Sequence, residues 1–201
     1  MRPPEQPGLC PSPPAAPLIF SIGHSTRKLE ELIAVLKHYG VQRLVDIRHF
    51  PASRHNPQFN KDQLQTVLPA AGIAYHWLEA LGGYRSGGYL AYMQTPQFAA
   101  GLAELEQLAR ERPTAFMCAE IKWFQCHRRR VSDALAERGW QVLHIFTEKR
   151  ADPHRLKTNR IRCEVLAARA ARLTPEGGRN NTPPLAPPRQ QRIYTARTLG
   201  A

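Results

Sequence analysis

The chain has 201 residues, of which 42% are apolar and 8% aromatic, an ordinary composition for a globular protein with one core. No apolar run approaches the roughly 18 residues of a membrane span, and the N-terminal residues lack the hydrophobic stretch of a signal peptide. We therefore expect a cytoplasmic protein without a membrane partner. The cysteines have neither the density nor the spacing of a disulfide scaffold, so we expect free thiols. They are Cys10, Cys118, Cys126 and Cys163.

The net charge of +12 is unevenly distributed along the chain. Residues 148–201 carry 12 Lys and Arg against 4 Asp and Glu, whereas residues 18–147 carry 15 against 11. A basic balance favours polyanionic partners by electrostatics alone. A nucleotide or a nucleic acid is therefore the expected class of partner, and the composition leaves the oligomeric state open.

Composition divides the chain into three segments. Residues 1–17 contain seven prolines and are predicted to form a disordered leader. Residues 18–147 have the periodicity of alternating strands and helices and are predicted to form one α/β domain. Residues 148–201 are predicted to be a basic, mostly irregular extension, in which residues 158–173 have the pattern of a basic amphipathic helix.

The predicted elements alternate along the second segment. Each strand is a short apolar run, and apolar residues recur with helical spacing between the runs. Three of the helices are followed by glycine, which favours the left-handed conformation at a helix end, and the Thr-Pro pair at 95 and 96 has the residues of a helix start. The predicted strands are residues 18–22, 41–47, 73–78, 114–118 and 142–146, and the predicted helices are residues 29–36, 64–71, 96–109 and 131–135.

Five strands that alternate with four helices predict a Rossmann-like, single-domain α/β fold with a mostly parallel five-stranded sheet and helices on both faces. Ligands of such sheets bind beyond the carboxyl ends of the strands, near the point where the strand order reverses. The residues that directly follow each strand are therefore the candidates for a functional site.

The first predicted strand leads into Gly23, His24, Ser25 and Thr26, directly before a helix. Hydroxyls and free N–H groups at a helix N-terminus can hold an anion. Alternatively, Ser25 or Thr26 caps the helix. Both interpretations stay open on the sequence alone.

The second predicted strand contains Asp46, and the loop behind it, residues 48–60, holds two arginines, two histidines and two aromatic residues. Guanidinium groups bind phosphate and aromatic faces stack on bases. Arg48 and Arg54 therefore suit a ligand that contains both. Alternatively, Asp46 pairs with Arg48 or Arg54 to hold the loop, and Asn60 caps the next helix.

The segment behind the third predicted strand contains Gly82, Gly83, Gly87 and Gly88 together with two tyrosines. Such a segment is predicted to be a mobile flap that could close over a ligand. Its glycines have the spacing of neither a Walker loop nor a dinucleotide-binding loop.

The fourth predicted strand ends at Cys118, and Glu120, Cys126 and His127 follow before the next helix. A thiol near a helix N-terminus and beside cations favours its thiolate form, which makes Cys126 the candidate nucleophile. Glu120 could accept a proton or orient His127. Alternatively, Cys118 is a small buried apolar residue, and the arginines after His127 form a solvated helix face.

The spacing around the cysteines argues against two other kinds of site. A cysteine phosphatase loop has an arginine after five intervening residues, but Phe124 and Ser132 occupy these positions. A structural zinc site would show paired C-x-x-C spacing or a second His-rich half. We therefore expect neither a metal nor another cofactor.

Several short motifs follow one another along residues 18–146. They are Ser21-Ile22-Gly23-His24-Ser25, Asp46-Ile47-Arg48, Asn56-Pro57-Gln58-Phe59-Asn60, Leu81-Gly82-Gly83, Tyr92-Met93, Cys118-Ala119-Glu120 and Cys126-His127-Arg128. Together and in this order they resemble the bacterial family called domain of unknown function four-eight-eight. The family has no settled biochemical activity. The resemblance implies an α/β fold and a site built from these motifs.

The leading hypothesis is an enzyme that acts on a phosphate-containing substrate, a nucleotide or a nucleic acid, at the carboxyl ends of the strands. The alternatives are a noncatalytic nucleic-acid-binding module that uses the basic tail and a redox sensor built on Cys118 and Cys126. The expected catalytic residues are Cys126 as nucleophile, with His24 and Glu120 in proton transfer. The expected substrate-binding residues are Ser25, Asp46, Arg48, Arg54, Asn56, His127 and Arg128.

Overall fold

The computed structural model describes residues 16–156 of the chain. The predictions for nearly all of the leader, for the amphipathic helix over residues 158–173 and for the rest of the tail beyond residue 156 lie outside the described residues. Within the described part, no helix is both long and apolar enough to cross a bilayer.

The described residues form one α/β unit around a single, mostly parallel sheet of six strands. The strands are β1 (Leu18–Gly23), β2 (Arg43–Asp46), β3 (Ala74–Trp77), β4 (Thr114–Cys118), β5 (Gln141–Thr147) and β6 (Arg150–Pro153). Their order across the sheet is β3-β2-β4-β1-β5-β6, and β6 alone in this sheet is antiparallel to its neighbour. The predicted Rossmann-like class is confirmed.

Helices connect the strands, and their ends follow the local signals of the sequence. The helices are α1 (Leu29–His38), α2 (Lys61–Ala70), α3 (Tyr89–Tyr92), α4 (Pro96–Glu111) and α5 (Arg128–Glu137), with 3₁₀ turns at Pro57–Phe59, Glu79–Leu81 and Trp123–Gln125. The hydroxyl of Thr95 accepts the N–H of Phe98 at 3.3 Å and caps α4, as predicted. Gly40, with a φ of 66°, follows α1 in the left-handed conformation that was expected.

The direction in which the chain crosses the sheet reverses after β3. From β1 to β3 the chain moves toward one edge, and from β3 to β5 it moves back, so right-handed crossovers place α1 and α2 on one face and α4 and α5 on the other. Leu32 and Leu64 accordingly belong to one hydrophobic cluster, and Leu102 and Leu135 belong to a second. The reversal inserts β4 between β1 and β2 and creates a switch point at their carboxyl ends.

The sheet has six strands rather than the predicted five. The additional strand, β6, lies in the segment predicted to be irregular and pairs with β5 directly after a short turn, with Thr147 opposite Arg150. β6 lies at the edge of the sheet, and its residues Arg150–Pro153 are exposed or half-buried. An apolar run is therefore not needed in this strand, and none is present. Apolar periodicity therefore carries no signal for it.

The glycine-rich segment that was predicted to be a flap contains the short helix α3. The hydroxyl of Tyr89 donates to the carbonyl oxygen of Leu81 at 2.9 Å, and that of Tyr92 donates to the carbonyl oxygen of Ala80 at 2.7 Å. These bonds attach α3 to the 3₁₀ turn that follows β3.

Glu106 is a buried carboxylate on α4 that links this helix to the start of β5. Its Oε1 accepts the indole N–H of Trp140 at 2.8 Å, and its Oε2 accepts from Arg138 at 2.9 Å. We expect Glu106→Ala to lower the free energy of unfolding by about 1–3 kcal/mol, because the buried indole N–H loses its acceptor. Urea unfolding measures the change. The control Glu104→Ala removes only an exposed pair with His76 and should cost less than about 1 kcal/mol; equal losses would contradict the prediction.

Candidate functional site

The loops that follow β1, β2 and β4 meet at one edge of the sheet. The backbone N–H of His24 donates to the carbonyl oxygen of Cys118, and that of Ile47 donates to Met117, each at 3.0 Å. A Cβ at Gly23 would collide with the carbonyl oxygen of Glu120, so glycine is required for the two loops to approach this closely. Two polar clusters form at this edge.

The first cluster surrounds a buried ion pair between Asp46 and Arg48. Arg48 Nε donates to Asp46 Oδ1 at 2.8 Å, and Arg48 Nη2 donates both to Asp46 Oδ2 at 2.5 Å and to the carbonyl oxygen of Phe59 at 2.7 Å. The hydroxyl of Tyr75 donates to Asp46 Oδ2 at 2.8 Å. Burial, aided by the Asp46 carboxylate, raises the pKa of Tyr75, which therefore stays a donor. Both predicted substrate ligands, Asp46 and Arg48, are thus engaged with each other, the alternative that the sequence left open.

His24 joins the first cluster with both ring nitrogens in use. Its Nδ1 lies 2.8 Å from the carbonyl oxygen of Ser25, which can only accept, so Nδ1 carries the proton. Its Nε2, 3.3 Å from Arg48 Nη1, then accepts. The ring stacks on Phe59 at 4.2 Å between centroids. Burial lowers the pKa of His24 to about 4. A neutral ring in this position orients Arg48 rather than moving a proton.

The second cluster consists of Cys118, Cys126 and His127. His127 Nε2 donates to the carbonyl oxygen of Ile47 at 3.0 Å, so Nδ1 is the atom that faces the sulfurs. The Sγ of Cys126 lies 3.4 Å and the Sγ of Cys118 lies 3.8 Å from Nδ1. The backbone N–H of Arg128, the first residue of α5, donates to Cys126 Sγ at 3.5 Å. The structure thus brings together the two cysteines and the histidine that sequence analysis singled out.

The surroundings of Cys126 favour its thiolate. A hydrogen bond with Cys118 lowers the pKa of Cys126, and His127 and the N–H of Arg128 lower it further against the opposing effect of burial. The same hydrogen bond and burial raise the pKa of Cys118, which remains a thiol that donates to the Cys126 sulfur. Cys126 is partly exposed, whereas Cys118 is buried. Cys126 therefore combines thiolate character with access, the two properties of a nucleophilic cysteine.

The Gly82–Gly83 turn and α3 cover the second cluster. A Cβ at Gly83 would overlap the imidazole of His127, so glycine is needed here for the close approach. The ring of Tyr89 lies 5.5 Å from the imidazole. The glycine-rich segment therefore packs directly on the histidine that contacts both sulfurs.

Arg128, a predicted substrate ligand, points into the protein and is 1% exposed. Its Nη1 donates to the hydroxyl of Ser21 at 3.2 Å, and its Nη2 donates to the carbonyl oxygens of Glu120 and Ile121. Arg128 therefore fixes the loop that follows β4 and does not face a substrate.

The remaining predicted residues lie in the loops that follow β1, β2 and β4. Ser25 has a left-handed backbone with a φ of 49°, and its N–H donates to the carbonyl oxygen of Ala119 at 2.8 Å, so this N–H is not available to an anion. Neither Ser25 nor Thr26 caps α1, whose N-cap is Lys28. Of the other three, Arg54 and Glu120 are exposed and Asn56 is half-buried.

Sequence reasoning did not identify Tyr75 as part of the site. Tyr75 reaches Asp46 because β2 and β3 pair with Leu44 opposite Tyr75 and Asp46 opposite Trp77. Strand register is not encoded by any local motif, so the sequence offers no signal for this contact. For the contact of Tyr89 with His127, the sequence offers only a weak signal, which is that Tyr89 lies in the glycine-rich segment.

The second cluster also has the composition of a metal site. Within residues 16–156, Cys118, Cys126 and His127 form the group of donor residues whose ligand atoms lie close enough to share an ion, all within 4.8 Å of one another. Two sulfurs and an imidazole nitrogen suit zinc. The same three side chains can therefore support thiol chemistry or hold a metal, and metal analysis separates the two.

The comparison with protein families identifies the chain. The family model described as "Domain of unknown function DUF488" matches residues 28–135. The chain belongs to this family. The DUF488 match confirms the resemblance carried by the motifs and includes both clusters except His24. No curated protein and no solved structure matches the chain.

The buried His24 makes stability depend on pH. An unfolded histidine binds a proton below about pH 6.5, whereas folded His24 binds one only below about pH 4. The unfolded state thus holds more protons in this window. The stability that neutral His24 contributes is therefore fully present above pH 6.5 and is lost as the pH falls toward 4.

We expect the free energy of unfolding to fall between about pH 7.5 and pH 5, and to fall by about 2 kcal/mol less in His24→Asn than in the unmodified protein. Urea unfolding at both pH values measures the difference. The exposed control His55→Asn should match the unmodified protein, and a His24 variant that does the same would refute the assignment.

Proposed function

We propose that the protein is an enzyme that acts on a phosphate-containing substrate, a nucleotide or a nucleic acid, with Cys126 as its nucleophile. The observation that carries the proposal is the setting of the Cys126 sulfur, which lies 3.4 Å from His127 Nδ1 and accepts the N–H of Arg128 at 3.5 Å. A thiolate held in this way attacks electrophilic centres near neutral pH.

Cationic side chains at the edge of the sheet support a phosphate-containing substrate. Arg48 and Arg128 are engaged within the protein, so phosphate would be bound by other cations. Arg54 and Lys122 are exposed on the loops behind β2 and β4, and Arg129 is half-buried in the first turn of α5. Guanidinium groups bind phosphate oxygens through paired hydrogen bonds.

The chemical step follows from these roles. The Cys126 thiolate attacks phosphorus, an S–P bond forms, and the bond from phosphorus to the leaving oxygen breaks with its electron pair. The leaving oxygen takes a proton from solvent. Glu120, an exposed carboxylate at this edge, then accepts a proton from an attacking water molecule and releases it to solvent. That water hydrolyses the S–P bond, which releases the phosphate product and returns the thiolate. His24 positions Arg48 in this scheme.

The adjacent thiol favours a second candidate function, a redox sensor. A hydroperoxide would oxidise the Cys126 thiolate to a sulfenic acid and leave as an alcohol or water. The Cys118 thiol, which already donates to the Cys126 sulfur, would then form a disulfide with loss of one water. Cys118 is essential to this chemistry, whereas the phosphoryl step requires only a hydrogen-bond donor at position 118.

The first test is the pH dependence of cysteine alkylation in the full chain. We expect Cys126 to react with iodoacetamide far below the pKa of about 8.5 of an unperturbed cysteine. Cys118 should stay unreactive over the same range because it is a buried thiol. Peptide mass spectrometry resolves the two sites. His127→Ala should raise the pH at which Cys126 reacts.

Two results would count against a free Cys126 nucleophile. One is that Cys126 is alkylated only at or above the pH at which an unperturbed thiol ionises, both in the unmodified protein and in His127→Ala. The other is one zinc ion retained per purified chain and lost in Cys126→Ser, which would assign the three side chains to a metal site.

The second test compares two serine variants on chromogenic phosphate esters. With thymidine 5′-(p-nitrophenyl phosphate) as the substrate, Cys126→Ser should lower kcat/KM at least about 100-fold, because the nucleophile is lost. Cys118→Ser keeps a hydrogen-bond donor and should retain most of the activity. Release of p-nitrophenol measures both.

The same pair of variants separates the two candidate functions. Absence of ester cleavage, together with a peroxide-induced Cys118–Cys126 disulfide that Cys118→Ser abolishes, would overturn the phosphoryl-transfer proposal in favour of the redox sensor. Cleavage that is unaffected by Cys126→Ser would remove Cys126 from the reaction.

A further inference from the structure

A cavity outside both clusters lies between the Trp123–Gln125 turn, α5 and the residues after β6. Its volume is about 340 Å³, and it is lined by Trp123, Phe124, Arg129, Asp133, His154 and Arg155. Cavities of this size are at the lower end of those that hold small organic ligands. None of these six residues is among the predicted catalytic or substrate-binding residues.

Trp123 stacks on a histidine that belongs to a chain of hydrogen-bonded side chains. Its indole stacks on the imidazole of His144, with ring centroids 4.0 Å apart and planes at 4°. His144 Nε2 lies 3.1 Å from His154 Nδ1, and His154 Nε2 lies 3.1 Å from Asp133 Oδ1. The carboxylate can only accept, so His154 donates to Asp133 and accepts from His144. The aromatic wall of the cavity is therefore fixed before any ligand arrives.

The cavity offers a planar apolar surface beside positive charge. Phe124 is 50% exposed and lies edge-on to Trp123 at 5.7 Å. Arg129 and Arg155 line the same cavity, and neither forms an ion pair with another described residue. The single carboxylate, Asp133, is already engaged by His154 and lies 3.7 Å from Arg130. An anion with a flat ring matches this combination.

We propose that this cavity binds a nucleotide unit, with the base against Phe124 and the phosphate held by Arg129 and Arg155. Aromatic side chains stack on any base, because every base has a π-face. Two guanidinium groups supply the paired donors that phosphate oxygens accept. The unit can be a free mononucleotide or a residue of a single-stranded nucleic acid.

The cavity adjoins the nucleophile along the chain. Trp123 and Phe124 lie three and two residues before Cys126, and the N–H of Arg129 donates to the carbonyl oxygen of Cys126 at 3.0 Å. The inference deepens the proposed function and rests on it for the role of the bound nucleotide as substrate. Binding itself does not require the Cys126 sulfur, so the two can fail separately.

Binding is tested by titrating the full-length chain with AMP, adenosine, inorganic phosphate and a short single-stranded oligonucleotide. Isothermal calorimetry gives the affinity, and quenching of Trp123 fluorescence, absent in Trp123→Phe, reports the location. We expect AMP to bind at least about tenfold more tightly than adenosine or phosphate alone, because both parts of the nucleotide are recognised. Tighter binding of the oligonucleotide than of AMP would identify a nucleic acid as the source of the unit, and the reverse would identify a free nucleotide.

Matched variants separate this cavity from nonspecific attraction by the basic chain. Arg129→Gln and Phe124→Ala should each weaken AMP binding about tenfold. Arg112→Gln removes the same charge at the exposed end of α4 and should change the affinity less than about twofold. Equal effects of Arg129→Gln and Arg112→Gln, or equal affinity for AMP and adenosine, would overturn the inference.

Cys126→Ser distinguishes failure of the site from failure of the chemistry. This variant should bind AMP as the unmodified protein does. Binding without ester cleavage would leave the nucleotide site standing and reject the proposed reaction. Cleavage that persists undiminished in Arg129→Gln and Phe124→Ala, without AMP binding, would reject the site and leave the reaction standing.

Discussion

The insertion of β4 between β1 and β2 is the constraint on which the candidate site depends. In a parallel sheet, the backbone groups of a central strand pair with both neighbours, so the carboxyl ends of all three strands are held side by side. The N–H of His24 therefore reaches Cys118, and the N–H of Ile47 reaches Met117. Side chains that are far apart in the chain become neighbours through these backbone bonds.

The two clusters at this edge differ in their side chains and in their exposure. Burying the charges of Asp46 and Arg48 costs solvation, which the bidentate pair and the hydroxyl of Tyr75 offset. The side chains of Asp46, Arg48 and His24 in that cluster are buried. The second cluster keeps one sulfur, that of Cys126, partly exposed. The bond from His127 to the carbonyl oxygen of Ile47 anchors the second cluster to the end of β2, where the first cluster begins.

The segment between β4 and α5 connects both clusters to the neighbouring cavity. Its Trp123 stacks on His144 of β5, and the buried Arg128 donates to the carbonyl oxygens of Glu120 and Ile121. Contacts with the rest of the domain therefore fix this segment on both sides of Cys126, at Trp123 and at His127, and these contacts set the position of Cys126. A ligand that contacts Phe124 or Arg129 would therefore contact the same segment that carries Cys126.

The sequence by itself determined the α/β class, the first five strands, the four longer helices and the family, because these depend on local signals: apolar periodicity, helix-ending glycines, the Thr95–Pro96 start and ordered motifs. It also indicated that Cys118, Cys126 and His127 belong together. Only the tertiary structure decided the partners of Arg48 and Arg128, the contact of Tyr75 and the presence of β6. The contact of Tyr75 with Asp46 and that of Arg128 with Ser21 depend on strand order and register, which are set by residues far away in the chain. The pairing of Asp46 with Arg48 and of β6 with β5 is close in the chain, but its residues lack an apolar pattern that would have selected it over the alternatives.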